Sequence, residues 1–237
     1  MFDIIRKTDY WAALDDPQVF SRLEGFTLKA LDGLKHIQDA WSLHQLLPLR
    51  NLRIIEIGGG ASRVLPALDA SNERWNLDEF LGDGNGVTAP VELEGCKLLR
   101  KKLGDFPPEL PDAYFDLAFS ISVIEHIPAE ALPGFFADHA RIMKPGGMAY
   151  HAIDIYVGDE GRPELEERID LYFSSIRDHG FVFVSPPALA RPASFRCEMA
   201  SNSDWGMWRW NKNVPALQDI RRISQSVSIA AIIQKGS

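Results

Sequence analysis

The stretch Asn51-Leu52-Arg53-Ile54-Ile55-Glu56-Ile57-Gly58-Gly59-Gly60-Ala61-Ser62-Arg63 decides the fold. An apolar run ends at a carboxylate, three glycines follow, and the next residues can start a helix. A short apolar run closed by a glycine cluster reads as a buried parallel strand. Glycines there permit positive φ and let a ligand lie against bare backbone. Strand, glycine turn and helix N-terminus together open a nucleotide-binding α/β unit.

Several readings of that turn compete. It can be an ordinary tight strand-to-helix turn. A dinucleotide fingerprint, G-x-G-x-x-G, finds its first two glycines in Gly58 and Gly60, but its third falls on Arg63, whose bulk spoils close helix–strand packing. That fingerprint also gives no role to Glu56. Glu56-Ile57-Gly58-Gly59-Gly60-Ala61-Ser62 instead resembles motif I of the class I S-adenosylmethionine-dependent methyltransferases, with Ser62 at the third glycine. That cofactor carries a sulfonium and an ammonium and no phosphate, so a carboxylate at the strand end has an electrostatic purpose.

A second, longer match follows in order: Leu103-Gly104-Asp105-Phe106, then a Pro-rich connector, then Phe115-Asp116-Leu117-Ala118-Phe119-Ser120, then Glu125-His126-Ile127-Pro128. This succession is similar to the methyltransferase type 11-like members of the same family. The resemblance implies a Rossmann-like class I fold with a seven-stranded, mostly parallel sheet and helices on both faces. It also implies S-adenosyl-L-methionine as cofactor. Glu56, Gly58, Gly59, Gly60, Asp78, Glu79, Gly104, Asp105 and Ser120 are the candidate cofactor-binding residues. Asp78 or its neighbour Glu79, about twenty residues past the glycines, stands where a ribose is gripped. Asp105 stands at the adenine edge, where an acceptor-only carboxylate can take the exocyclic amine.

Of the 237 residues, 46% are hydrophobic and 24% charged, as in ordinary globular proteins. The length suits one α/β domain with additions. Cys96 and Cys197 are the only cysteines, which excludes a disulfide framework and a Cys-rich zinc site. A net charge of −8 argues against nucleic acid as a partner, because such binding needs clustered Lys and Arg. Neither a signal peptide nor a membrane-length apolar run is visible, so the expected setting is cytoplasmic, with no membrane partner.

Two domain parts are expected. Residues 1–50 read as an N-terminal helical segment, a cap or lid, with Leu34, Ile37, Trp41, Leu46 and Leu47 on one stripe and Pro48 as its end. Residues 51–237 form the methyltransferase domain. Within it, 62–70 reads as a helix turning Val64, Leu65 and Leu68 inward, 73–79 as a strand, 129–143 as an amphipathic helix, and 148–156 as the fifth strand. Residues 164–179 read as a helix stopped by Gly180. His139, on the apolar face of its helix, reads as a hydrogen-bonded core histidine. A long insertion, 185–225, carries Trp205, Trp208 and Trp210, which either wall an acceptor pocket or pack under their own loop. The turn-rich 81–86 reads as a flexible loop.

The resemblance implies methyl transfer in line with the sulfur. The protein must then align an acceptor and, for a hydroxyl, remove its proton. The candidate base and its orienter are His151 and Asp154, three residues apart at the end of the fifth strand. Such residues point to opposite faces of a straight strand, so the pair needs a bend after His151. His126 is the rival, with helix capping as its plainer role. No metal spacing is present. The expected function is O-methylation of a sugar or other small metabolite. The alternatives are a nicotinamide-dependent oxidoreductase and a non-catalytic S-adenosylmethionine-binding module.

Overall fold

The computed structural model describes residues 1–24, 34–82, 86–158, 160–194 and 224–237. Trp205, Trp208 and Trp210, and most of the 185–225 insertion, lie outside these residues.

Eight strands form one sheet: β1 (Phe2–Ile4), β2 (Arg53–Ile57), β3 (Glu73–Leu77), β4 (Cys96–Leu99), β5 (Phe115–Ile121), β6 (Met143–Gly158), β7 (Phe181–Phe183) and β8 (Ser224–Lys235). The order is β1-β8-β6-β5-β2-β3-β4, with β7 also on β8. From β4 to β6 every pairing is parallel, and β8 runs antiparallel to β6. The order reverses beside β2, the place where open α/β sheets bind ligands.

β1, one strand beyond the seven expected, departs from the expectation that 1–50 is helical throughout. β8 is twelve residues long, and β7 covers only Ile233 to Lys235 of its outer edge. β1 pairs with Ile229 to Ala231, continuing that edge. An uncovered edge leaves backbone donors and acceptors without partners, and β1 supplies them. Phe2 fixes it by packing edge-on against Phe173 and Phe183.

Side chains alternate between two apolar layers, as strand geometry requires. One layer joins Ile55, Ile57, Trp75, Ala118 and Ile153 to helices α4 (Leu132–Ile142) and α5 (Pro163–Asp178). The other joins Ile54, Leu117, Phe119 and Ala152 to α1 (Lys7–Asp15), α2 (Pro17–Glu24) and α3 (Leu34–Leu46). Leu34, Ile37, Trp41 and Leu46 are buried as their spacing predicts, and α3 ends two residues before Pro48.

The expected helix over 62–70 is absent. Its place is taken by a single 3-10 turn, Leu65–Ala67. Pro66 lacks the amide a continuing helix needs. The inward residues are nevertheless as read: Val64, Leu65 and Leu68 are buried. After α4, β6 begins at once, and a bulge at Lys144–Gly147 lets Met148 regain register opposite Leu117. Gly146, at φ +79, makes that bulge possible.

Candidate active site

Glu56 and Asp78 come together at the carboxyl edge because both fall on the strand positions that face α3. Gly58 and Gly60 adopt φ of +66 and +50, so the chain turns back over the strand ends. Three bonds hold this turn: Gly58 N–H donates to Leu77 O at 2.7 Å, Gly60 N–H to Asp78 Oδ2 at 2.9 Å, and Asn76 Nδ2 to Gly60 O at 2.9 Å. Asp78 Oδ1 also accepts the N–H of Phe80 at 2.6 Å. Gly59 must lack a side chain, since a Cβ there would sit 2.4 Å from Asn76 Oδ1.

Glu56 is buried below the turn, and its Oε2 has no hydrogen-bond partner. Burial pushes its carboxyl up to about 8, against the hydroxyl of Ser62 and the charge of Lys35. Arg63, bulky where a dinucleotide site wants glycine, ion-pairs with Asp39 of α3 and ties the turn to that helix.

Glu79 lies beside Asp78 and faces Lys102 at 3.9 Å. Gly104 and Phe106 donate their N–H groups to Asp138 Oδ2 of α4, at 2.8 and 3.1 Å, on the other side of the sheet. Asp105 is exposed on that loop. Ser120 is buried within β5, its Oγ 2.8 Å from His151 Nδ1.

His151 and Asp154 do not meet. β6 pairs with β8 without a break from Met148 to Gly158, so the required bend is missing. His151 is 1% exposed and packs its ring 5.3 Å from that of His139 on α4. Burial pushes it down to about 3. His139 is a core residue as expected, but its two ring nitrogens have no hydrogen-bond partner.

Asp154 points to the opposite face, toward α3, and opens onto a pocket of about 220 Å³. Glu125 from the 3-10 turn Ile124–His126, and Arg168 and Tyr172 from α5, line the same pocket. Both oxygens of Glu125 are buried without a hydrogen-bond partner. Burial, then the neighbouring charge of Asp154, pushes Glu125 up to about 8. His126 stands beside it, half exposed, with Nε2 3.8 Å from Glu125 Oε1. Arg168 anchors the turn by donating to Ile124 O at 3.0 Å and to Tyr172 Oη at 3.0 Å. Lys35 of α3 donates to Ile121 O at 3.2 Å, and its charge opposes the upward shifts of Glu56, Glu125 and Asp154 alike.

Sequence reasoning passed over Glu125 as a functional residue, although it lies inside the Glu125-His126-Ile127-Pro128 run. It also passed over Gln38, a polar residue beside the apolar stripe of α3. Among the described residues no group of three or more His, Cys, Asp or Glu could hold a metal. None of their helices is long and apolar enough to cross a membrane.

Comparison with known proteins places this arrangement. Residues 55–151 match the methyltransferase domain family. A sterol 24-C-methyltransferase of Gibberella zeae is 30% identical over 117 residues, 47% of this chain and 29% of that protein. The chain thus spans under a third of the curated relative it matches. Phosphoethanolamine N-methyltransferase 2 of Haemonchus contortus superposes with a TM-score of 0.52 at 15% identity, over 96% of this chain and 60% of that one. Geranyl diphosphate C-methyltransferase of Streptomyces coelicolor gives 0.50 at 12% identity, over 93% and 86%. At such identities the likeness speaks for the fold. The family segment runs from β2 to β6 and includes the glycine turn, Asp78 and Glu125. Over residues 55–151 the chain is thus similar to the methyltransferase domain family.

Proposed function

We propose that the protein binds S-adenosyl-L-methionine at the Gly58–Gly60 turn and transfers its methyl group to an oxygen of a small molecule, a sugar or similar metabolite. The observation that supports this reading is the placing of two acidic centres along one sheet edge, Glu56 with Asp78 and Glu125 with Asp154.

The first centre suits the cofactor. Glu56 has an unpartnered buried oxygen. A Cβ on Gly60 would make only ordinary contacts, with Val87 at 3.4 Å and Asp78 Oδ2 at 3.6 Å, so its positive φ and not crowding asks for glycine there. The Asp78 carboxylate, and Glu56 once a bound cation draws it toward its ionised form, favour a cation, whereas a pyrophosphate would be repelled. Asp78, fixed by two backbone amides, keeps lone pairs for ribose hydroxyls. When bound, the cofactor supplies a methyl group on a positively charged sulfur that leaves as a neutral thioether.

The second centre suits the acceptor. Asp154 takes the hydroxyl proton as the new carbon–oxygen bond forms. Glu125 holds a proton of its own at neutral pH and donates a hydrogen bond to the acceptor. His126, half exposed at the mouth, passes the abstracted proton to solvent. The base is therefore Asp154, and His151 is assigned to the core. The N-terminal segment acts as a cap, since α3 brings Lys35, Gln38 and Asp39 to the site.

Incubation with S-adenosylmethionine and a metabolite extract tests this, read by mass spectrometry for products heavier by one methylene. Products that fail to form with Asp154→Asn support the reading. Cofactor binding without any product, across extracts of varied origin, would favour the non-catalytic module.

A further inference from the structure

We propose that Gln38 of α3 is a positioning residue that keeps the proton of the Glu125–Asp154 pair on Glu125 and leaves Asp154 ionised. This rests on the reading of Asp154 as the base.

The orientation of the Gln38 amide is fixed by its neighbours. Gln38 is fully buried. Ser228 Oγ donates to Ile153 O at 3.4 Å, so only its lone pairs remain for Gln38, and Gln38 Nε2 lies 2.9 Å away. The nitrogen must therefore face Ser228. On the other side, Ser122 Oγ donates to Gln38 Oε1 at 2.8 Å. The second hydrogen of Nε2 is then directed at Asp154 Oδ1. An amide N–H has no lone pair to offer, so this oxygen accepts, and an accepted hydrogen bond stabilises the carboxylate more than the acid. A proton on Asp154 would weaken this bond, so the donated N–H favours the ionised form over the acid.

Glu125 receives no such support. Its oxygens have no partner at hydrogen-bond geometry, the N–H groups of Glu125 and Asp154 facing it only at longer range. Two adjacent carboxyls in a poorly hydrated site cannot both ionise cheaply, and the better solvated one ionises first. Other groups facing the pair are Lys35 from α3, His126 from the 3-10 turn, Tyr156 from β6, and Arg162, Glu164, Arg168 and Tyr172 around α5. Lys35 is shared by both acids, and the Arg168 guanidinium is engaged with Ile124 O and Tyr172. Gln38 acts on Asp154 alone. The asymmetry within the pair comes from it and Ser122.

The test is a carboxyl-carbon NMR titration of the full chain with labelled Asp and Glu, assigned with Glu125→Gln and Asp154→Asn. In the unsubstituted protein the signal lost in Glu125→Gln should titrate at the higher pH, and the Asp154 signal well below it. In Gln38→Met, similar in length but without donor or acceptor, the Asp154 midpoint should rise by about one pH unit, a tenfold change in its protonation equilibrium. The Glu125 midpoint should fall. If that buried variant does not fold, Ser122→Ala should move Asp154 the same way by less. Unmoved midpoints in the folded variants, or an Asp154 that keeps the proton without substitution, would overturn the proposal. The titration needs neither cofactor nor acceptor, so a shift without methyl transfer would leave Gln38 standing and fail the base instead.

Discussion

Gly60 donates its backbone N–H to Asp78 Oδ2 at 2.9 Å, so the acid that ends β3 also fastens the glycine turn that ends β2. One carboxylate thereby shapes the turn and, in the proposed site, would also face the cofactor. Its substitution loses both effects at once.

Asp78→Asn keeps the size and one acceptor but loses the charge and one backbone bond. Affinity for S-adenosylhomocysteine should fall about tenfold, or about 1.4 kcal/mol, by calorimetry. Asp105→Asn, on the loop held by Asp138, should change it by less than a factor of about two, within the range of surface substitutions.

Two glycines separate packing from backbone strain. Gly59→Ala forces a Cβ to within 2.4 Å of Asn76 Oδ1 and 2.9 Å of Glu56 Cδ, which should cost about 1–3 kcal/mol in urea denaturation and weaken cofactor binding. Gly146→Ala meets nothing within 4 Å, but its φ of +79 should cost about 1–2 kcal/mol with binding unchanged. Equal effects on binding would disconnect the turn from the cofactor.

His139 sits between the rings of Phe135, Phe136 and Phe181 with both nitrogens unpartnered. A buried polar group without a partner costs about 1–3 kcal/mol. His139→Phe should therefore raise stability by about 1 kcal/mol. A drop in melting temperature would show that the ring nitrogens have a role in the native state.

Stability should be greatest in mildly acidic solution and fall on both sides. His139 and His151 are depressed from 6.5 by burial, so as pH falls below 6.5 the unfolded chain takes up protons that the folded one refuses. Glu56 and Glu125 are raised from 4.5 to about 8, so as pH rises above 4.5 the unfolded chain releases protons that the folded one keeps. Between 4.5 and 6.5 these two pairs oppose each other, and the raised Asp39 and Asp154 tip the balance toward a loss with rising pH. Above that range stability declines toward pH 8 through the glutamates, and below it through the histidines. Urea midpoints across this range check it, and Glu56→Gln should lessen the alkaline decline.

Much of this was legible because it is local. The β2 turn shows in three consecutive glycines after an apolar run, and β5 and β6 in Phe115–Ile121 and Met148–Tyr156. The two-residue strand period already warned that His151 and Asp154 face apart. The missing helix after Gly60 was hinted at by Pro66. What was illegible is long-range. Gln38 and Asp154 are 116 residues apart, and β1 meets β8 across almost the whole chain. Nothing near Phe2 announces a partner at Ala231. Glu125 could be read as part of a motif, but not as an unpartnered acid until Asp154 stood beside it.

The central claim is that the Glu56–Asp78 turn holds an adenosyl sulfonium ligand. Calorimetric titration of the protein with S-adenosylmethionine, and separately with NAD and NADP, tests it most directly. Binding of S-adenosylmethionine at one site, weakened by Asp78→Asn, with no heat from either dinucleotide, is the expected result. Saturable binding of a dinucleotide, with S-adenosylmethionine inert, would contradict it.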